Sequence, residues 1–430
     1  MNFKNFTPKI AIIWLWYVWL PLAHAFVKKD MEVLGFDINQ KRLDELKKGI
    51  DKTNEIQWDE IKYLKKINFS LKPEDLKKCN FFIVTVPTPI DKYKKPDLTP
   101  VIKATETIAK QLPKWSIIVY ESTVFPWVTE EICLPIIEKF SWLKYWEDFK
   151  LWYSPERINP WDKEHTVTKI LKVVSWSDQE WLDIIESVYN KIITAWTFKA
   201  KNIKTAEAAK VIENTQRDIN IWLINELSLI FDKIWINTYD VLEAAWTKWN
   251  FLKFTPGLVW GHCIWVDPYY LIQKAEELWY HPEVISAWRR INDWMWQFVA
   301  NQVVKQLIQS NLNVKWAKIL ILWLTFKENV PDFRNSKITD VIKELKEFWV
   351  QIEWYDPYSK NLTSHILEEL NLKENEIISK IWKKYDWVIY AVNHKEFSNL
   401  NLKELIKENW IIFDIKGKFR KEWFNNYKSL

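Results

Sequence analysis

The stretch 246–271, Trp-Thr-Lys-Trp-Asn-Phe-Leu-Lys-Phe-Thr-Pro-Gly-Leu-Val-Trp-Gly-His-Cys-Ile-Trp-Val-Asp-Pro-Tyr-Tyr-Leu, sets one thiol, Cys263, close in sequence to Gly257 and Gly261. A cysteine in a small-residue loop can be approached closely by a substrate and by backbone N–H donors, as a covalent nucleophile requires. A lone cysteine is more commonly a small buried hydrophobe. Lys210 and Asp267 favour the first reading, because they could tune the thiol and a water. Lys210 and Asn214 lie four residues apart and so share one face of any helix that holds them.

Such groups need strands to carry them. Three apolar, β-rich runs, Phe81 to Val86, Ser116 to Tyr120 and Phe149 to Tyr153, each end in polar punctuation. The first ends in Pro87-Thr88-Pro89, the second in Glu121-Ser122-Thr123 and the third in Ser154-Pro155-Glu156-Arg157. In a doubly wound α/β sheet, loops at the carboxyl edge are where ligands bind. Any one of them taken singly is an ordinary strand-end loop.

The composition holds an anomaly that decides how the N-terminus is read. In 430 residues there are 5 glycines and 31 tryptophans, where average usage would give roughly 30 glycines. Tryptophan stands where a left-handed backbone wants glycine: Trp127 and Trp161 follow Pro126 and Pro160, and Trp235 sits at a helix C-cap signature. The hypothesis is that most of these positions are glycine in the living protein, through a UGA codon read there as glycine. The intact mass of native protein decides it.

Taken as written, residues 1 to 27 resemble a secretory signal, with Lys4, Lys9, an apolar run from Ile10, and Ala23-His24-Ala25. With glycine at 14, 16 and 19 the same stretch is a strand, a G-x-G-x-x-G turn and a helix. A second strand, Met31 to Phe36, then ends in Asp37, 18 residues past the third glycine position. That is the dinucleotide fingerprint: glycines admit the pyrophosphate to the helix N-terminus, and the acid takes the ribose hydroxyls. Asp37 argues for NAD over NADP, since a 2′-phosphate would meet a like charge.

From about Thr205 the period becomes helical, with Ala208, Val211, Ile212, Thr215, Ile219 and Leu223 recurring at three and four. After about Trp316 alternation returns, with strands Ile319 to Leu324, Val350 to Tyr355 and Val388 to Val392, and a helix Ser336 to Phe348. This predicts a second Rossmann-like domain whose first loop, Thr325 to Arg334, carries Lys327, Asp332 and Arg334 in place of glycines. Lys and Arg there suit phosphate or carboxylate groups; a solvated charged loop is the plain alternative. The charge of +5 is mild, 48% apolar content is globular, and Cys79, Cys133 and Cys263 are too scattered for a disulfide framework or zinc cluster. The expectation is a cytoplasmic protein with no metal, no nucleic-acid partner and no membrane span. A secreted, tryptophan-rich binding protein is the distant alternative.

With the Cys263 loop, Ala-Ala-Lys210-Val-Ile-Glu-Asn214, Ser-Pro-Glu156-Arg157 and Phe326-Lys327-Glu-Asn-Val-Pro-Asp332-Phe-Arg334-Asn-Ser in view, the chain resembles the UDP-glucose/GDP-mannose dehydrogenase family over nearly its whole length. Ser-Pro-Glu-Arg-Ile-Asn-Pro lacks the second acid of the UDP-glucose branch, which points to an N-acetylated sugar. The resemblance implies two Rossmann-like doubly wound domains joined by a long central helix in an α-helical middle domain. The expected boundaries are 1–204 for NAD, 205–310 for the helical dimerisation domain with the cysteine loop, and 311–430 for the UDP-sugar. It implies a homodimer that oxidises C6 of a UDP-N-acetylhexosamine, UDP-N-acetylglucosamine first, for surface polysaccharide. UDP-N-acetylmannosamine and UDP-glucose are the alternatives. The implied chemistry is two hydride transfers to NAD through a thiohemiacetal and a thioester on Cys263. Lys210 and Asn214 would face the oxyanion, Asp267 and Thr123 the water, and Glu156 a proton transfer. Trp14, Trp16, Tyr17, Val18, Trp19, Asp37, Arg42, Val86, Pro87, Thr88, Ser122, Thr123 and Arg334 would hold the cofactor. Glu156, Arg157, Lys210, Asn214, Phe251, Phe254, Gly257, Gly261, Phe326 and Lys327 would hold the sugar nucleotide. Trp249 lies in a Lys-Trp-Asn-Phe string that this branch itself carries and is expected to be genuine, whereas Trp58, Trp181, Trp354 and Trp423 are assigned neither way.

Overall fold

The computed structural model describes residues 6–430 apart from 17, 18, 54, 159–161, 163, 176–178, 262, 326, 327, 331, 334, 363, 382, 383, 398, 399 and 421–426. Tyr17, Val18, Phe326, Lys327 and Arg334 therefore lie outside the described residues, as do Trp161 and Trp423. Two compact units emerge: Met1–Glu213 with Tyr269–Tyr280, and Asn214–Pro268 with His281–Leu430.

The first unit is built on six parallel strands: β1 (Ile10–Ile13), β2 (Val33–Phe36), β3 (Asn68–Ser70), β4 (Phe81–Val84), β5 (Ser116–Tyr120) and β6 (Phe149–Tyr153). Their order is β3-β2-β1-β4-β5-β6, the doubly wound dinucleotide order. β1, β4, β5 and β6 are buried at every residue, as parallel strands covered on both faces must be. β4 stops two residues short of its apolar run, at Val84, which pairs with Ile13 and Tyr120, the last residues of the neighbouring β1 and β5. A small parallel pair, β7 (Lys172–Ser175) and β8 (Thr197–Ala200), follows. The stretch that resembles a secretory signal is strand and helix here. β1 and the helix Trp19–Lys28 are built into this core.

The second unit carries β9 (Lys318–Leu322), β10 (Gln351–Tyr355), β11 (Tyr385–Tyr390), β12 (Ile406–Asp414) and β13 (Tyr427–Ser429), all parallel. Their order, β10-β9-β11-β12-β13, is the other common doubly wound arrangement, 2-1-3-4-5. The helix Ile338–Glu347 lays Ile338, Val341, Ile342 and Leu345 on this sheet's core.

Two long helices, Ile203–Lys233 and Glu283–Gln309, carry the middle of the chain. The first differs from the sequence expectation in an informative way. Its buried positions include Glu207, Lys210, Asn214, Asp218, Asn225 and Ser228, while Ile212, Leu223 and Ile230 are about half exposed. The covered face is thus largely polar, and apolar side chains are left at the surface. No described helix is long and apolar enough to cross a membrane.

Candidate active site

In the first unit the carboxyl ends of β1, β4, β5 and β6 lie side by side, because the strands are parallel neighbours. Directly after β1, Trp14 takes a left-handed φ of 81° and its N–H bonds the Phe36 carbonyl at 2.7 Å. The next N–H, Leu15, donates to Asp37 Oδ2 at 2.9 Å, while Asp37 Oδ1 accepts from Asn39 N–H at 2.9 Å. Asp37 is buried. Arg42 Nε donates to the Leu15 carbonyl at 3.1 Å, and the Arg42 guanidinium pairs with buried Asp51 at 3.1 Å. Arg42 therefore braces the turn. The Trp19 and Leu20 N–H groups return to the Trp16 carbonyl at 3.1 and 2.9 Å, opening the helix Trp19–Lys28.

This backbone suits a dinucleotide: a left-handed turn, a helix N-terminus and a buried acid after β2. The side chains written at 14, 16 and 19 do not. Trp14 stacks on Trp16 with centroids 6.3 Å apart and lies against Trp19 at 5.3 Å, filling the space where glycines would admit a pyrophosphate. Trp14 is one of ten tryptophans among the sixteen described non-glycine residues with positive φ, a region that bulky residues scarcely populate. Trp142 is a left-handed cap on the helix Leu134–Ser141, while Trp235, Trp279 and Trp349 take positive φ two residues past the ends of their helices. These are positions that glycine occupies by preference. Buried indole N–H groups of Trp19, Trp152, Trp354 and Trp387 also lack an acceptor.

The neighbouring loops are tied to one another. The Val86 carbonyl is held by Ser122, and Tyr270 O–H donates to the Thr88 carbonyl at 2.8 Å; Pro87 lies between them and Thr123 is half-buried. Glu156 is buried and accepts from the Ile158 N–H. Burial pushes its carboxyl above the ordinary range, and the Lys210 ammonium is the strongest influence drawing it back. Arg157, expected at the sugar nucleotide, is engaged by Glu213 at 2.9 Å and by the Leu171 carbonyl.

In the second unit Asn214 donates from Nδ2 to Asp267 Oδ2 at 2.6 Å and accepts from Arg217 at 2.6 Å. Both Asn214 and Asp267 are buried, so the carboxylate is fixed by an amide that is itself fixed. Cys263 is half-buried, and its carbonyl accepts the Val266 and Asp267 N–H groups at 3.0 and 2.8 Å. This tight turn opens the helix Asp267–Glu277 and carries the thiol close to Asp267 along the chain. Gly261 takes φ 113°; Phe251 and Phe254 are half-buried. Among the described residues no cluster of three or more His, Cys, Asp or Glu could hold a metal.

Two positioning side chains escaped the sequence reading. Asn225 grips Gly257 as a neighbouring strand would, accepting its N–H at 2.8 Å and donating to its carbonyl at 3.0 Å. Behind it stand Asn292, Asp218 and Arg289. The one available signal was spacing: Asn225 follows Asn214 by eleven residues, about three helical turns on one face. In the other unit, buried Lys172 pairs with buried Glu121 at 2.8 Å, a pairing that no local pattern announces.

Comparison with known proteins agrees with this fold. The NAD-binding, central and UDP-binding domains of one family match residues 8–193, 204–294 and 320–421. UDP-N-acetyl-D-glucosamine 6-dehydrogenase of Pseudomonas aeruginosa is 51% identical over 95% of this chain and 96% of its own. The enzyme of that name from Salmonella typhi is 48% identical over 95% and 96%. The solved UDP-D-ManNAc dehydrogenase of Pyrococcus horikoshii superposes with a TM-score of 0.84 at 27% identity, covering 98% of each chain. The chain belongs to the UDP-glucose/GDP-mannose dehydrogenase family, NAD-dependent oxidoreductases of nucleotide sugars.

Proposed function

We propose that this chain oxidises the C6 alcohol of a UDP-N-acetylhexosamine, UDP-N-acetylglucosamine first, to the uronic acid in the cytoplasm, supplying surface-polysaccharide synthesis. The observation that carries the substrate is identity near one half, over almost the full chain, to two enzymes named for UDP-N-acetylglucosamine. The turn after β1 and Asp37 would hold NAD, which would supply the hydride acceptor for each of two oxidations at C6, one NAD per round. Cys263 adds through its thiolate to the C6 aldehyde, and the second oxidation leaves a thioester on its sulfur. Lys210 and the Asn214 amide offer donors to the oxygen at C6 as charge develops. Asp267, held by Asn214, and Thr123 orient the water that cleaves the thioester, and Glu156 accepts its proton. Phe251, Phe254, Gly257 and Gly261 shape the sugar-nucleotide loop; Lys327 and Arg334 hold the phosphates. The exposed apolar stripe of Ile212, Leu223 and Ile230 supports a homodimer built on the helix Ile203–Lys233.

We further infer that most of the tryptophans are glycine in the cell, encoded by UGA. The ten left-handed tryptophans support this, since each costs about 1–3 kcal/mol of backbone strain. Intact mass of protein from the native source tests it; a mass matching the written sequence would end the proposal.

Cys263→Ser tests the chemistry. It should bind NAD and sugar nucleotide and give a sub-stoichiometric NADH burst without turnover, because serine is the weaker nucleophile and its ester hydrolyses less readily. Near-normal turnover would remove the thioester. Parallel assays on UDP-N-acetylglucosamine, UDP-N-acetylmannosamine and UDP-glucose decide the sugar.

A further inference from the structure

Behind the strand-end loops of the first unit lies a buried charge pair to which the proposed chemistry gives no task. Lys172, on β7, is 5% exposed at its side chain, and Glu121, following β5, is 1% exposed; they meet at 2.8 Å. Tyr189, wholly buried on the helix Gln179–Asn190, donates its O–H to the same carboxylate, and the Lys172 ammonium lies 5.3 Å from its ring centroid. Lys172 also reaches the Pro155 carbonyl at 3.4 Å. The next residue after Pro155 is Glu156, and the second after Glu121 is Thr123. One ammonium therefore ties together the two loops that carry these side chains.

An isolated buried ion pair is a poor source of stability, because desolvating two charges offsets their attraction. Stability alone therefore does not account for this pair.

We propose that Lys172, fixed by Glu121 and Tyr189, is a positioning residue for Glu156, holding the Ser154-Pro155-Glu156 turn and setting the charge its carboxylate experiences. This rests on the reading that Glu156 handles the hydrolytic proton. The charged groups acting on Glu156 are Lys210 from the helix Ile203–Lys233, Lys172 from β7 and Glu121 from the end of β5. The two lysines favour the carboxylate, whereas Glu121 and burial oppose it. Ser154 completes the turn, its Oγ donating to the Val173 carbonyl at 2.6 Å.

The test compares Lys172→Met, Lys172→Arg and Lys172→Met/Glu121→Gln in the full chain, by melting temperature, NAD binding and the pH profile of kcat. With a native melt and unchanged NAD binding, Lys172→Met should lose about tenfold to 100-fold in kcat, as expected of a small misplacement. The acid limb of kcat should move to higher pH by roughly one unit, because Glu156 loses a cation and keeps the Glu121 anion nearby. Lys172→Arg should restore most of the rate. The double variant should return the limb toward its original pH but stay slow, since charge is rebalanced while the Pro155 carbonyl still lacks its donor. If Lys172→Met does not fold, the double variant decides: slow turnover with a native melt supports the role, and turnover within twofold of the parent overturns it. Glu156→Gln separates the two ideas. If it leaves the acid limb in place, the reading of Glu156 fails and the positioning role with it. If it abolishes the limb while Lys172→Met changes neither rate nor limb, only the positioning role falls.

Discussion

The two doubly wound units solve the same local problem with the same residues and then diverge. After β1, Trp14 at φ 81° bonds the Phe36 carbonyl; after β9, Trp323 at φ 108° bonds the Tyr355 carbonyl at 2.9 Å. Asp37 takes Leu15 N–H on one oxygen and Asn39 N–H on the other. Asp356 takes Leu324 and Thr325 N–H at 3.0 and 3.2 Å on one oxygen and Tyr358 N–H at 2.7 Å on the other. In both, an acid closing the second strand clamps the turn after the first, satisfying amides that a left-handed turn would otherwise orphan. Beyond the turn they part. In the first unit a helix opens at Trp19, whereas in the second the next described helix opens at Ile338. Near that second turn, buried His394 accepts the Asn329 N–H at 2.7 Å. The clamp is thus common to both units, while a helix N-terminus, the kind of site that suits a phosphate, follows it closely in the first, the NAD-binding domain.

That contrast can be broken at the turn itself. Glycine at 14, 16 and 19 together should raise NAD affinity by 100-fold or more, about 3 kcal/mol, since three indoles leave the pyrophosphate's place. Trp323→Gly should raise the melting temperature and leave NAD affinity unchanged. Calorimetric titration checks both, and a triple variant that binds NAD no better than the parent would refute the assignment of this turn.

The acids sharpen it next. Asp356→Ala should cost about 2–3 kcal/mol in denaturant unfolding, from buried N–H groups left unpaired, with no change in cofactor choice. Asp37→Asn keeps one acceptor oxygen. It should weaken NAD and narrow the preference over NADP by relieving repulsion of a 2′-phosphate. An unchanged NAD/NADP ratio would assign ribose reading to another residue.

The smallest effect is a pair of opposite pH slopes. Burial, with Lys418 adding to it, pushes His394 down to about 2. The folded state then binds fewer protons than the unfolded chain, and stability present above pH 6.5 is lost as pH falls below it. Burial instead pushes Glu207, in the first unit, up to about 7 against the Thr129 and Trp127 N–H donors that pull it down. Its folded form holds a proton that the unfolded chain releases, so stability is lost as pH rises from about 4.5 to 7. Each slope is about 1.4 kcal/mol per pH unit. Hydrogen exchange between pH 4.5 and 6.5 should show the second unit loosening toward acid and the first tightening. His394→Gln and Glu207→Gln should each flatten one slope, and parallel slopes in the parent protein would contradict the assignment.

Short-range order carried far. Buried parallel strands announce themselves as apolar runs, so Ser116–Tyr120 and Phe149–Tyr153 were legible to the residue. The left-handed turns at Trp127 and Trp235 and the acid that closes β2 were legible too, because such turns and strand ends demand particular residue types at fixed offsets. What the sequence left open lies in contacts between distant residues. Lys172 with Glu121, Asn225 with Gly257 and Arg157 with Glu213 are separated by dozens of positions and obey no period. The helix Ile203–Lys233 shows the limit most plainly. Its three- and four-residue apolar period established a helix, yet the face it buries is largely polar, with Ile212 and Leu223 at the surface. Periodicity reports that one face differs from another. Which face is covered depends on what packs against it, and only the tertiary structure supplies the partner that makes a buried Lys210 or Asp218 tolerable, because a desolvated charge is stable only where its counter-charge or hydrogen bonds already stand.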